Sequence, residues 1–315
     1  MNSSANTTTD HAVVTPDASR ATIPFLRALQ WSVRLELWQH RWILIGPLVA
    51  AAILTTTFVL ETIGAPGHTA ALLARPLGEA RRNAIAHPYG LTAGMIAMAA
   101  FFMGIFYCIE ALQSERSDRS ILFWKSLPVS DATIIVSKAW IPLVVLPLIV
   151  YAVTLTTQTI MAVASTLALI ATGGDPAALW RELSPLERPI VHLYGVGVMA
   201  ILHSPIYAWI LMVSAWARRR ALVWVFLPPY LIGAAEQLAL GHSYVKQLIK
   251  HLVMEPFARG FALDPYAHSK LPAFDHVSQL DPGSVFGRSG TWIGLAATTL
   301  FLFIAIQLRR DRELT

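Results

Sequence analysis

Charged residues are absent from six long stretches of the chain, and these stretches predict its architecture. A transmembrane helix needs about 20 mostly apolar residues to cross a hydrocarbon core of roughly 30 Å. The charge-free stretches are residues 42–60, 89–109, 139–174, 189–217, 221–235 and 289–308. The third has 36 residues, too few for two crossings and a turn, so we expect it to cross once. The pattern predicts six spans at about 42–61, 89–110, 139–168, 190–216, 221–240 and 290–308.

Ahead of the first span, apolar residues recur every four positions with arginines between them. The apolar positions are Phe25, Leu29, Val33 and Leu37, and the arginines are Arg27, Arg34 and Arg41. This spacing predicts an amphipathic helix, residues 24–41, that lies in the membrane surface. Residues 1–23 are polar and are expected to form a disordered cytoplasmic tail. The expected fold is an all-α integral membrane protein with six transmembrane helices preceded by this N-terminal amphipathic interfacial helix.

Composition and charge agree with a membrane protein and indicate its orientation. Hydrophobic residues make up 55% of the 315 positions and charged residues 14%, against about 25% charged in soluble domains. Cytoplasmic segments collect Lys and Arg, and with both termini inside, 14 of the 24 basic residues are cytoplasmic and 10 are not. The Arg218-Arg219-Arg220 turn favours six spans, because seven would place it outside. The net charge of +5 follows from this bias and does not indicate nucleic-acid binding.

This orientation makes 111–138 a cytoplasmic loop, 241–289 an outer loop and 309–315 a cytoplasmic tail.

Motifs for catalysis are missing: the sequence has no Gly-Lys dipeptide for a P-loop, and no HExxH, CxxC or Rossmann glycine pattern. Four histidines of the outer loop have spacings of 9, 17 and 8, which match no compact metal-ligand pattern. We therefore expect no enzyme activity and no catalytic, cofactor-binding or metal-binding residue in this chain.

Features inside the spans are candidates for a pathway or gate. Glu236 lies in the outer part of span five, where a carboxylate either faces an interior cavity or lies near the headgroups. Pro228 and Pro229, two turns earlier, are expected to break this helix and make its outer half irregular. His203 on span four either lines a pathway or hydrogen-bonds a neighbouring helix.

Span two carries a stripe of small residues at helical spacing, namely Gly90, Gly94, Ala97 and Gly104. Small residues allow helices to approach closely in lipid. The stripe predicts a tight helix contact, within the chain or between subunits.

The loop between spans two and three concentrates charge. Residues 110–131 carry seven charged side chains in 22 positions. A short helix is predicted over 114–126, because Pro128 disfavours helical geometry at Leu127, and Ser130 is expected to cap the next helix. Apolar Ile121, Leu122 and Trp124 stand among charges of both signs, which fits a protein groove better than anionic lipid.

The string Glu115-Arg116, Asp118 and then SILFWKSLPVS over 120–130 resembles the signature of ABC-2-type transporter permeases. In that family six membrane helices follow an N-terminal interfacial helix, and the segment after span two is a coupling helix that sits in a groove of a separate ATPase subunit. The resemblance implies the membrane subunit of an ABC exporter that works by alternating access. The coupling residues it implies are Glu115, Arg116, Asp118, Arg119, Ile121, Leu122, Phe123, Trp124 and Lys125.

The same resemblance implies partners and location. ATP and Mg would bind to the partner ATPase, and this chain would pair with a second copy or a paralogous permease. The membrane would be the bacterial cytoplasmic (inner) membrane, with both termini in the cytoplasm. An apolar stretch of the outer loop, containing Tyr244, Leu248, Leu252 and Phe257, is similar to the re-entrant elements that these permeases place between spans five and six.

Two alternatives stay open from the residues. An ion-coupled secondary transporter or channel would work alone through buried charges such as Glu236. An intramembrane serine protease would use Ser289 in the string Gly287-Arg288-Ser289-Gly290, but no histidine follows it to accept the serine proton. A gene neighbour with a P-loop would favour the ABC assignment over both.

Overall fold

The computed structural model describes residues 24–117, 130–217, 220–261 and 277–311. Of these residues, 89% are helical and none forms a strand. The α-helices among them are α1 Phe25–Gln39, α2 Ile45–Gly64, α3 Gly67–Leu73, α4 Glu79–Ser117, α5 Asp131–Trp140, α6 Leu146–Ala171, α7 Pro176–Leu183, α8 Arg188–Trp216, α9 Ala221–Leu240, α10 Tyr244–Phe261, α11 Pro282–Phe286 and α12 Ser289–Asp311. A π-helical turn, Ile141–Val145, joins α5 to α6, and short 3-10 turns lie at Arg41–Leu44 and Val277–Gln279.

Six described segments are long and apolar enough to cross a membrane. They are Arg41–Gly64, Glu79–Gln113, Asp131–Ala171, Pro176–Trp216, Ala221–Leu240 and Ser289–Arg310. The prediction of an all-α membrane protein with six spans is confirmed. Several helices extend past the apolar runs that predicted them, since α4 begins at Glu79 and continues to Ser117. With 39 residues it is about 58 Å long, so part of the predicted loop 111–138 is helical at both of its ends.

Contacts between helix termini define one end of the bundle, which we call the near end. Arg309, close to the C-terminus of α12, donates from Nε to Asp131 Oδ1 at the start of α5, over 2.9 Å. The backbone amide of Ala221, which begins α9, donates to Gln113 Oε1 of α4 over 3.2 Å. The described helix ends that flank residues 118–129 therefore lie at the near end.

The opposite end, which we call the far end, has a small core of its own. Arg81 in the first turn of α4 donates from Nε to Glu182 Oε1 of α7 over 3.0 Å. Behind this pair Tyr89 of α4, Met161 of α6 and Leu179 of α7 are among the buried residues of a separate apolar cluster. These contacts hold together the helical segments that extend beyond the apolar runs.

Helix α8 lies in the centre of the bundle, in contact with α4, α6, α10 and α12. Gly104 of α4 faces it so closely that a Cβ atom on this glycine would lie 2.8 Å from Tyr207 Cε1. Gly94 and Ala97 of the same stripe are buried and Gly90 is half-buried. The stripe of small residues thus allows a close contact within this chain.

Helix α9 is continuous through Pro228 and Pro229, so the predicted break in span five is wrong. Proline at position 229 removes the N–H that would bond the carbonyl of Val225 four residues earlier. The indole Nε1 of Trp209 on α8 approaches that carbonyl to 3.5 Å and donates to it. Such replacement from a neighbouring helix lets proline stay inside a membrane helix.

Candidate functional site

Most of the predicted coupling residues lie outside the described residues. This holds for Asp118, Arg119, Ile121, Leu122, Phe123, Trp124 and Lys125. Glu115 and Arg116 belong to the last turn of α4, and their backbone alone is described. The structure nevertheless defines the helix ends on either side of this segment, namely the end of α4 and the start of α5, and the helices that contact them.

Glu36 of α1 is the centre of a buried polar cluster among these helices. Its side chain is 2% exposed, and its Oε1 accepts a hydrogen bond from Lys138 Nζ of α5 over 2.7 Å. Tyr107 of α4 donates its hydroxyl to the same oxygen over 3.1 Å. His40 Nδ1, one turn further along, lies 3.5 Å away. The cluster joins α1, α4 and α5.

Glu36 and Lys138 must be closely paired, because burying either charge without the other would cost free energy. Removing an ion from water costs several kcal/mol even after relaxation, and good geometry with further hydrogen bonds is needed to offset it. Lys138 is as buried as Glu36, with 2% of its side chain exposed. Because both charges are satisfied in one place, the arrangement fixes the position of α1 relative to α5.

The face of α1 that carries Glu36 is turned toward the protein. Ala28, Leu29, Ser32 and Glu36 are buried and follow one another at helical spacing. The opposite face exposes aromatic side chains, with Trp31 67% and Trp38 70% exposed. Leu29 packs inward and α1 lies against α5, and the expectation that α1 lies in the membrane surface stays a prediction.

A second ion pair holds the start of α5 from the other side. Ser130 caps this helix, because its Oγ accepts a hydrogen bond from the Thr133 amide over 3.2 Å, as the sequence predicts. The next residue, Asp131, accepts the bond from Arg309 of α12, whose side chain is 5% exposed. The ten residues of α5 are thus bound to α1 through Lys138 and to α12 through Asp131.

His203, a candidate pathway residue, is buried and bonded to a neighbouring helix. It is the sixteenth of 29 residues in α8, about 22 Å from the start of that helix. Its Nε2 lies 3.3 Å from the carbonyl oxygen of Val253 on α10, and its ring lies 5.3 Å from that of Phe257. The cavity beside it has a volume of about 30 Å³, which is large enough to hold water. In this conformation His203 anchors α10 along α8.

Glu236, the second candidate, caps a helix. Its Oε2 accepts hydrogen bonds from the Val245 amide and from Ser243 Oγ, each over 2.9 Å. Gly241, with φ +71°, reverses the chain between α9 and α10 and brings these groups together. The carboxylate therefore stabilises the first turn of α10, and this contact accounts for its place in span five.

Among the described residues no group of three or more His, Cys, Asp or Glu side chains is arranged to hold a metal ion. The helical fold and its six long apolar helices define the class of protein as an all-α integral membrane protein with six spans. No protein-family model, curated protein or solved structure matches the chain.

Proposed function

We propose that this protein is the membrane-spanning permease subunit of an ATP-binding cassette transporter of the ABC-2 type. The observation that carries the proposal is the charged motif 115–130. Its segment 118–129 joins the end of α4, where Gln113 accepts a hydrogen bond from the Ala221 amide, to the start of α5, where Asp131 pairs with Arg309. A segment that receives force from a partner needs rigid attachments of this kind. ATP and Mg would bind to a separate ATPase subunit, and a second permease copy or a paralogue would complete the pathway.

The helix ends that flank residues 118–129 are suited to transmit a displacement of that segment to the spans. Helix α5 is bound to α1 through Lys138 and to α12 through Asp131, so pressure on residues 118–129 would move three elements together. Through the π turn α5 continues into α6, which forms most of span three. Closure of the ATPase subunits would therefore tilt spans two and three and open the pathway to the outer side, as export by alternating access requires.

Photo-crosslinking tests the docking step. A photoreactive side chain at position 124 should capture a P-loop ATPase in native membranes, identified by mass spectrometry of the adduct. The same side chain at position 292 is the matched control, because Trp292 is an exposed tryptophan in the first turn of α12 at the other end of that helix from Arg309. Position 124 labelling only phospholipid, or reacting with reagents added outside the cell, would contradict the proposal.

Substitution tests the coupling step. Trp124→Ala should abolish transport-linked ATP hydrolysis by the purified complex, because interface tryptophans commonly contribute about 2 kcal/mol or more to binding. The variant should remain folded in the membrane, as the substitution removes a docking anchor. Trp292→Ala should retain hydrolysis and transport. Full transport by Trp124→Ala would count against residues 114–126 as the coupling helix.

A further inference from the structure

Four side chains form a continuous stripe on the outer face of α1. They are Arg27, Trp31, Arg34 and Trp38, spaced by 4, 3 and 4 positions, so they follow one another along one side of the helix. All four are exposed. We call this set the α1 outer stripe. It lies away from the face that buries Glu36.

The α1 outer stripe combines aromatic rings with charge of a single sign. The guanidinium carbon of Arg34 lies 5.8 Å from the centroid of the Trp31 ring, within the range of a cation–π contact. Among the residues that the structure describes, no carboxylate pairs with Arg27 or Arg34. The only acidic residue between positions 24 and 60 is Glu36, which is buried and bonded to Lys138. The outer face of α1 therefore carries positive charge that nothing on the helix neutralises.

The buried contacts of α1 indicate its level relative to the membrane. Tyr107, which bonds Glu36, lies near the end of the charge-free run 89–109, and Lys138 directly precedes the run 139–174. Helix α1 ends at Gln39, and span one begins at Arg41. Three spans thus reach the boundary of the hydrocarbon core beside Glu36. The α1 outer stripe lies at the same boundary, where tryptophan is enriched and where arginine side chains reach the headgroups.

The composition of the stripe favours anionic phospholipid over a protein as its partner. Basic residues beside tryptophan on one helix face are typical of helices that bind membrane surfaces. Guanidinium groups bind phosphate bidentately. Phosphatidylcholine neutralises its own phosphate with a cation, whereas phosphatidylglycerol does not, so the arginines favour phosphatidylglycerol. The motif 115–119 differs, because acidic and basic residues alternate in it.

We propose that the α1 outer stripe binds anionic phospholipids. Phosphate oxygens accept hydrogen bonds from Arg27 and Arg34, and the rings of Trp31 and Trp38 lie against the glycerol backbone and the first methylene groups. Each arginine near an anionic surface favours association about fivefold. The lipid holds the outer face of α1 while Lys138 holds its inner face. This inference does not depend on an ATPase partner.

Fluorescence quenching in lipid nanodiscs tests the proposal. The full chain is placed in phosphatidylcholine nanodiscs that contain a small share of brominated lipid, either phosphatidylglycerol or phosphatidylcholine, with the bromine atoms near the head of the acyl chain. Bromine quenches tryptophan only at short range, and the part of the quenching that Trp31→Phe/Trp38→Phe removes belongs to the stripe. This part should be about fivefold or more stronger with brominated phosphatidylglycerol than with brominated phosphatidylcholine.

Substitution of the arginines tests the role of charge. Arg27→Gln/Arg34→Gln should reduce the preference for phosphatidylglycerol about fivefold or more, whereas Arg27→Lys/Arg34→Lys, which keeps the charge, should retain most of it. Arg75→Gln is the matched control, because Arg75 is an exposed arginine that follows α3 and lies outside the stripe. The control should leave the preference unchanged.

Three results would overturn the proposal. Equal quenching by the two brominated lipids is one, and a preference that survives Arg27→Gln/Arg34→Gln is another. Weak quenching by both lipids is the third, and it would indicate that the stripe faces water or a protein. If Trp31→Phe/Trp38→Phe fails to fold, native mass spectrometry of the arginine variants still decides, because Arg27→Gln/Arg34→Gln should retain less phosphatidylglycerol than Arg75→Gln; equal retention would overturn the proposal.

Discussion

Replacing Lys138 by methionine should destabilise the protein strongly. Methionine preserves much of the apolar stem of the lysine and removes its charge, so the Glu36 carboxylate would stay buried without its cation. Breaking one partner of a buried ion pair costs about 3–5 kcal/mol. The 2.7 Å distance and the 2% exposure of both side chains place this pair in that class. We expect a loss of this size for Lys138→Met and a similar loss for Glu36→Leu.

The double variant distinguishes a specific pair from two independent contributions. Replacing both buried charges by apolar residues is often nearly neutral, so Glu36→Leu combined with Lys138→Met should recover most of the lost stability. The double-mutant cycle should then give a coupling energy of about 3 kcal/mol or more. Its measurement is reversible unfolding in mixed micelles, followed by the fluorescence of the ten tryptophans.

The exposed ion pair between Arg181 and Asp175 provides the matched control. Its atoms are 3.4 Å apart, and its side chains are 76% and 61% exposed. Pairs of this kind contribute at most about 1 kcal/mol, so Arg181→Met should have little effect. If Lys138→Met cost no more than this control, or if the losses in the double variant simply added, the assignment of the near-end cluster as a structural link would be refuted.

Two other predictions concern helix packing. Arg309→Met should destabilise the near end by about 1–3 kcal/mol, because it removes a charge-assisted hydrogen bond to Asp131 that is only partly exposed. The rate of amide hydrogen exchange in α5 should then increase. An unchanged rate would show that the pair does not hold this helix. Gly104→Ala should cost about 1–3 kcal/mol through overpacking against Tyr207, whereas Gly197→Ala, whose new Cβ would meet nothing within 4 Å, should be neutral or stabilising by up to about 1 kcal/mol. Thermal unfolding of the two glycine variants side by side measures the difference, and equal losses would contradict the close contact.

The six spans could be predicted from sequence because a run of about 20 predominantly apolar residues is itself the physical requirement for crossing a bilayer. The extension of α4 to Glu79 could not, since three charged residues, Glu79, Arg81 and Arg82, interrupt the apolar pattern there. Their helix is stabilised by Arg81, which bonds Glu182, 101 residues later. Local periodicity holds no information about such a contact.

The buried polar cluster around Glu36 could not be predicted from local periodicity either. Glu36 and Lys138 are 102 residues apart, and no local pattern pairs them. One signal was available: Glu36 is the only acidic residue between positions 24 and 60. Glu36 also falls two turns after Leu29 on the apolar face of the helix, and a carboxylate buried on such a face needs a partner. The continuity of α9 through its prolines could not be predicted either, because Trp209, which donates to the Val225 carbonyl in place of the missing proline N–H, lies on another helix.

The π-helical turn at Ile141–Val145 gives span three a position at which the helix can bend. A π turn widens the helix by one residue and interrupts the regular i to i−4 ladder, so bending there disturbs fewer hydrogen bonds than bending elsewhere. It lies directly after the ten residues that hold both near-end ion pairs. The π turn is therefore the position in span three at which the angle between α5 and α6 can change with the smallest loss of backbone hydrogen bonds.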